Sequence, residues 1–168
     1  MDESTFGLHP VLRQCWMKRG CQKRIPTPGQ QTWHHLFAAY NYVTDQVVHW
    51  SSAKKNSDAF VAFLDHLLQT VPKEQPVLLV LDNASYHTSQ AAQAAFACFE
   101  HRLLPLFLPP YCSDLNPIER FWRHLKENAC ANFLFEHIQA LSASVEHWLT
   151  KQNDPHDPER FLISKSFQ

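Results

Sequence analysis

Three carboxylates stand where a metal-dependent reaction could use them. Asp82 ends the aliphatic run VLLVL, Val77–Leu81. A carboxylate at the carboxyl end of a buried strand faces the surrounding loops and crevice, away from the core. Glu119 lies in LNPIERFWRHLKE, in the first turn of an amphipathic helix, and Asp2 opens the chain beside Glu3. Three such groups meet the needs of two-metal phosphoryl transfer. Hard Mg²⁺ or Mn²⁺ ions take oxygen ligands and keep several waters. A pair of them roughly 3.5–4 Å apart stabilises both the attacking and the leaving oxygen. Each carboxylate also has a plainer local reading. Asp82 followed by Asn83 is good turn chemistry. Asn116 as N-cap, Pro117 at the first helical position and Glu119 three residues past the cap come close to a capping box. A terminal acidic pair usually serves no function.

Cations accompany the helical glutamate. Ile118, Phe121, Trp122 and Leu125 share one face of the helix, and Glu119 sits at the edge of that face, beside Arg123 and Lys126. With Arg120 these form a basic group suited to phosphates, although a solvated helix face looks the same. A second stretch, Arg13, Lys18, Arg19, Lys23 and Arg24, contains no acid. The net charge of −1 and pI near 6.8 do not by themselves indicate a nucleic-acid partner.

The elements that must position these groups are legible from pattern. TWHHLFAAY and QVVHWSSA read as two strands joined by a hairpin at NYVTD. The segment 3–14 could continue a strand from Met1, and 17–31, broken by Gly and Pro, reads as a basic loop. Apolar spacing predicts a helix over 57–70, capped by Asn56 or Ser57. VLLVL, then a helix over 88–101, then LLPLFL at 103–108 form a βαβ unit with a right-handed crossover. Helices follow over 117–130 and 135–149. The order predicts a mixed α/β sheet with helices on its faces.

Other classes are disfavoured. Five scattered cysteines with no CxxC pair argue against a disulfide framework or a zinc ribbon. VLLVL is too short to span a bilayer, and MDESTFG lacks the charged start and apolar core of a signal peptide. A cytosolic protein is the expectation.

The blocks MDEST, W-x-x-x-G (Trp16 to Gly20), VLLVLDNASYHTS and LPPYCSDLNPIERFWRHLK, in this order, resemble the catalytic domain of mariner-like transposases. The similarity is greatest to their bacterial insertion-sequence branch, the DDE superfamily endonucleases, and covers roughly residues 1–150. It implies a ribonuclease-H-like, retroviral-integrase-like fold of about five strands, with 151–168 as a polar tail. It also implies the triad Asp2, Asp82 and Glu119 as catalytic metal ligands for Mg²⁺ or Mn²⁺, separated by 79 and 36 residues. The implied activity is cleavage of a phosphodiester at an element end and transfer of the freed 3′-hydroxyl to target DNA at a TA step. The partners implied are double-stranded DNA and a second copy of the chain, in a bacterial cytosol at the nucleoid. Asn83, His87, Arg120, Arg123 and Lys126 are candidate DNA contacts, and Tyr111 and Ser113 lie in the loop before the glutamate helix. Family members carry an apolar strand before the DES motif and a helix-turn-helix region upstream. Here only Met1 precedes Asp2, so the first strand is expected to be cut short. A remnant that binds DNA weakly or pairs with full-length copies without catalysis is the alternative. A small-molecule phosphohydrolase using Asp82 would need a DxD pair or phosphate loop that the sequence lacks.

Overall fold

A computed structural model describes residues 1–27, 29, 31–110 and 115–163. The strand β1 (Asp2–Gly7) pairs antiparallel with β2 (Trp33–Tyr40), which pairs antiparallel with β3 (Val47–Ser52). Helix α1 (Ser57–Thr70) leads to β4 (Val77–Leu81), and α2 (Gln90–Cys98) crosses over to β5 (Leu103–Phe107), parallel to β4. Helix α3 (Ile118–Leu125) runs into a π turn (Lys126–Cys130), and α4 (Ile138–Asn153) follows.

The predicted βαβ unit is present. The five strands form two hydrogen-bonded sets, three strands and two. Met1 links them: its amino group donates to the Val80 carbonyl at 2.8 Å. β1 stops at Gly7 and does not run on to 14. Leu8 N–H still reaches Thr32 O, but His9 N–H turns to the Gln31 side chain, and Pro10 has no N–H to offer a ladder. At Gly7 a Cβ would stand 2.3 Å from Gln31 Nε2 and 2.8 Å from the Trp33 ring, so these two side chains occupy the space a larger residue would need.

The three-stranded sheet is covered on both faces. Phe6, Leu36 and Tyr40 pack with Ile118, Phe121 and Leu125 of α3 and with Val145 and Leu149 of α4. On the other side Met1 and Phe37 pack with Phe60, Phe63 and Leu64 of α1 and with Leu81 of β4. Asn56 caps α1 by accepting from Ala59 N–H at 3.0 Å, and Ser89 caps α2 by accepting from Ala92 N–H at 3.2 Å.

The last segment is more firmly held than its polar composition suggests. The boundary expected at 150 falls inside α4. Beyond α4, Arg160 donates to the carbonyls of Gln152, Thr44 and Asp45, and Phe161 N–H donates to Gln152 Oε1. The Tyr40 hydroxyl donates to Asp45 at 2.5 Å and accepts from Ile163 N–H, so the chain is anchored as far as Ile163. Buried hydrogen bonds and the apolar Phe161 and Ile163 outweigh the local polarity here.

Candidate active site

Strand alternation sends neighbouring side chains to opposite faces. At the start of β1 this separates Asp2 from Glu3. Asp2 faces α3, where Trp122 Nε1 donates to its Oδ2 at 3.0 Å. Glu3 faces Tyr86, His87 and Lys55, and its side chain is only 1% exposed. Burial, followed by the charge of Glu3 and then that of Asp82, raises the Asp2 carboxyl to about 6. The Met1 amine on Val80 O and the His87 ring between Glu3 and Asp82 set the start of β1 beside the end of β4.

Asp82 follows the last residue of β4, and its side chain is 51% exposed. Its Oδ1 accepts from Ala84 N–H at 3.0 Å, the turn chemistry expected of Asp-Asn. The same oxygen lies 2.8 Å from His87 Nδ1, and Oδ2 has no hydrogen bond among the described residues. Asn83 donates from Nδ2 to Leu108 O and so ties the end of β4 to the end of β5.

His87 is wholly buried, which rules out the direct DNA contact expected of it. Its Nε2 lies 2.7 Å from Glu3 Oε1, while Tyr86 donates its hydroxyl to Glu3 Oε2 at 2.5 Å. Burial pushes the His87 imidazolium down, but the hydrogen-bonded Glu3 carboxylate and the Asp82 charge outweigh it, and the net shift is upward. Burial and the Glu3 carboxylate both push the Tyr86 phenol up. Sequence reasoning singled out His87 but missed Glu3. The signal available was its place one residue past Asp2 on a strand, which gives it the opposite face.

Glu119 is exposed in the first turn of α3. It makes no side-chain hydrogen bond or ion pair among the described residues. The expected capping box does not form, because Asn116 is buried and donates from Nδ2 to Met1 O at 3.1 Å, which takes its side chain away from the helix end. Pro117 is the residue at the helix start, with no side-chain cap. Trp122, three residues on from Glu119, holds α3 against Asp2. Among the described residues no group of three or more His, Cys, Asp or Glu side chains stands close enough to hold a metal ion. The backbone sets Asp2 at the start of β1 and Asp82 at the end of β4 on neighbouring strands, while Glu119 sits on α3, the helix that Trp122 ties to Asp2.

Of the expected cations, Arg120 and Arg123 are exposed on α3. Lys126 is half-buried, with Nζ 5.5 Å from the Phe6 ring centroid. Burial lowers its ammonium pKa, with the nearby Asp2 among the groups that oppose the shift. The helix predicted over 117–130 changes to π geometry at Lys126, a local irregularity common at functional sites. Tyr111 and Ser113 lie outside the described residues.

A family model described as DDE superfamily endonuclease matches residues 1–142. The chain belongs to that family. This DDE superfamily chain is 28% identical over 148 residues to an uncharacterized 39 kDa protein of insertion element IS630 from Shigella sonnei, a match covering 88% of the chain and 43% of the relative. It superposes on the Mos1 mariner paired-end complex with Mn with a TM-score of 0.69 and 16% identity, covering 98% of the chain and 49% of that protein. On the catalytic core domain of BIV integrase the TM-score is 0.52 at 15% identity, covering 80% of the chain and 85% of that domain. These likenesses establish the ribonuclease-H-like fold expected from the sequence. The chain spans about half the length of the IS630 protein and of the Mos1 protein. Among the described residues no helix is long and apolar enough to cross a membrane.

Proposed function

We propose that this chain is the divalent-metal-dependent DNA-cleaving and strand-transfer domain of an insertion-sequence transposase. The observation that carries the proposal is the hydrogen bond from Met1 to Val80, which sets the start of β1, with Asp2, beside the end of β4, with Asp82, in a DDE family chain. The donor set fits a hard cation: it offers carboxylate oxygens only, and Asp2 resists ionisation because it is buried and crowded by negative charge, a strain that a cation relieves. Asp2 and Asp82 would hold Mg²⁺ or Mn²⁺, with Glu119 as third ligand. Bound there, such ions would activate water or a 3′-hydroxyl and neutralise charge on the phosphodiester. Trp122 would keep the Asp2 carboxylate oriented. Arg120 and Arg123 would hold the DNA backbone. DNA is the substrate, and a second copy of the chain completes the synaptic assembly.

The test is nicking of a labelled duplex with Mn²⁺, with and without a chelator. Metal-dependent product that falls at least 100-fold in both Asp82→Asn and Glu119→Gln supports the reading. That Glu119 has no side-chain partner among the described residues favours a second reading, a chain that binds metal and DNA without cutting. Mn²⁺ binding with no product under any condition would select it.

A further inference from the structure

Behind the open carboxylates lies a closed layer that the cleavage chemistry does not itself require. A carboxylate withdrawn from water persists only when it is paired, and an apolar residue at position 3 would fill the same space. Glu3 is instead held by Tyr86 and by His87, with Lys55 Nζ 3.9 Å from its Oε2. The His87 ring is fixed by packing against Phe60 and Tyr86, with centroids 4.5 and 4.6 Å away. Its other nitrogen reaches Asp82 Oδ1. Without that contact Asp82, half in solvent, would keep only the Ala84 N–H among the described residues.

We propose that Glu3 and His87 are positioning residues: Glu3 orients the ring, the ring fixes Asp82 Oδ1, and Oδ2 is thereby presented to the divalent ion. The inference rests on the reading of Asp82 as a metal ligand. β1 thus supplies one carboxylate to the open site and the next one to the support behind it. Residues that orient a ligand in this way typically govern metal affinity by about 10–100-fold.

Mn²⁺ affinity, measured by calorimetry on the whole chain, tests this without any cleavage readout. Asp82→Asn should abolish or strongly weaken binding. His87→Phe keeps ring volume against Phe60 and Tyr86 and should weaken Mn²⁺ about 10–100-fold. A ring that merely filled space would leave the affinity unchanged. Glu3→Gln and Glu3→Ala both remove the charge, but glutamine keeps an acceptor for His87 Nε2. Glu3→Gln should therefore bind more tightly than Glu3→Ala. Near-UV circular dichroism reports folding. If His87→Phe or Glu3→Ala fails to fold, His87→Gln, whose single amide nitrogen cannot serve both carboxylates, should be weakened in its place. Wild-type affinity in folded His87 variants, alongside a weakened Asp82→Asn, overturns the positioning role and leaves Asp82 as ligand. Wild-type affinity in Asp82→Asn removes both.

Discussion

Replacing Asp2 by Asn should stabilise the metal-free chain while removing a proposed metal ligand. In the folded chain Asp2 titrates at about 6, against 3.8 for an ordinary aspartate, chiefly because it is buried and faces Glu3 and Asp82. The folded state thus holds its proton more tightly than the unfolded state. Stability is lost as pH rises from about 4 through about 6, and the difference of roughly two pKa units corresponds to about 3 kcal/mol at neutral pH. Asparagine escapes that cost and keeps a carbonyl acceptor for Trp122 Nε1. Its buried NH₂ gives back about 1 kcal/mol, so the net gain at pH 7 is about 1–2 kcal/mol. With a urea slope of roughly 2 kcal/mol/M, the midpoint should rise by about 0.5–1 M. The Met1 amine, lowered to about 6 by burial, contributes a pH dependence of its own in the opposite sense. It is common to both chains and largely cancels in the difference. The assay is urea unfolding of both chains in chelator from pH 4 to 8. The gap should be widest at pH 7 and above and should close towards pH 4. Mn²⁺ at a hundredfold over its dissociation constant should add about 2.7 kcal/mol to wild type and much less to the variant. A pH-independent gap, or an Asp2→Asn chain less stable than wild type at pH 7 without metal, would refute the reasoning.

Two further outcomes are expected. Tyr40→Phe removes a hydroxyl shared by Asp45, Phe161 O and Ile163 N–H, and should cost about 2–4 kcal/mol in denaturant unfolding, with earlier proteolytic loss of the segment after α4. Arg123→Ala should weaken binding to element-end and random duplexes alike and lower the salt slope by about one unit, as read by fluorescence anisotropy; a change in sequence preference would assign it a different role.

What was legible in the sequence follows from what is local. The VLLVL run, the helix spacing over 57–70 and the cap at Asn56 depend on neighbours in the chain, and each is found where pattern puts it. Asp82 at the end of β4 belongs with these. Asn116 fails as a cap for a non-local reason: a carbonyl 115 residues away takes its side chain. Glu3 was passed over in the same way, since its partners Tyr86 and His87 are distant in sequence. The region after α4 reads as polar because composition cannot reveal that Arg160 finds three carbonyls. The separation of the strands into two sets likewise depends on pairings between remote segments.

The close approach at Gly7 has a consequence for how errors are avoided. In β1 the carboxylate proposed to bind metal and the buried carboxylate are adjacent residues, so sliding the strand by a single position would exchange them. Asp2 would enter the closed space meant for the longer glutamate, and Glu3 would overshoot into the cleft. Such a slip would also bring Phe6 or Leu8 opposite Trp33, where even one added carbon collides with Gln31 and the indole. A residue with no side chain, five positions from the proposed ligand Asp2, therefore acts as a proofreader of strand alignment: at Gly7→Ala the Gln31 and Trp33 side chains must shift, and a variant in which β1 slips instead would lose metal binding with every proposed ligand still encoded.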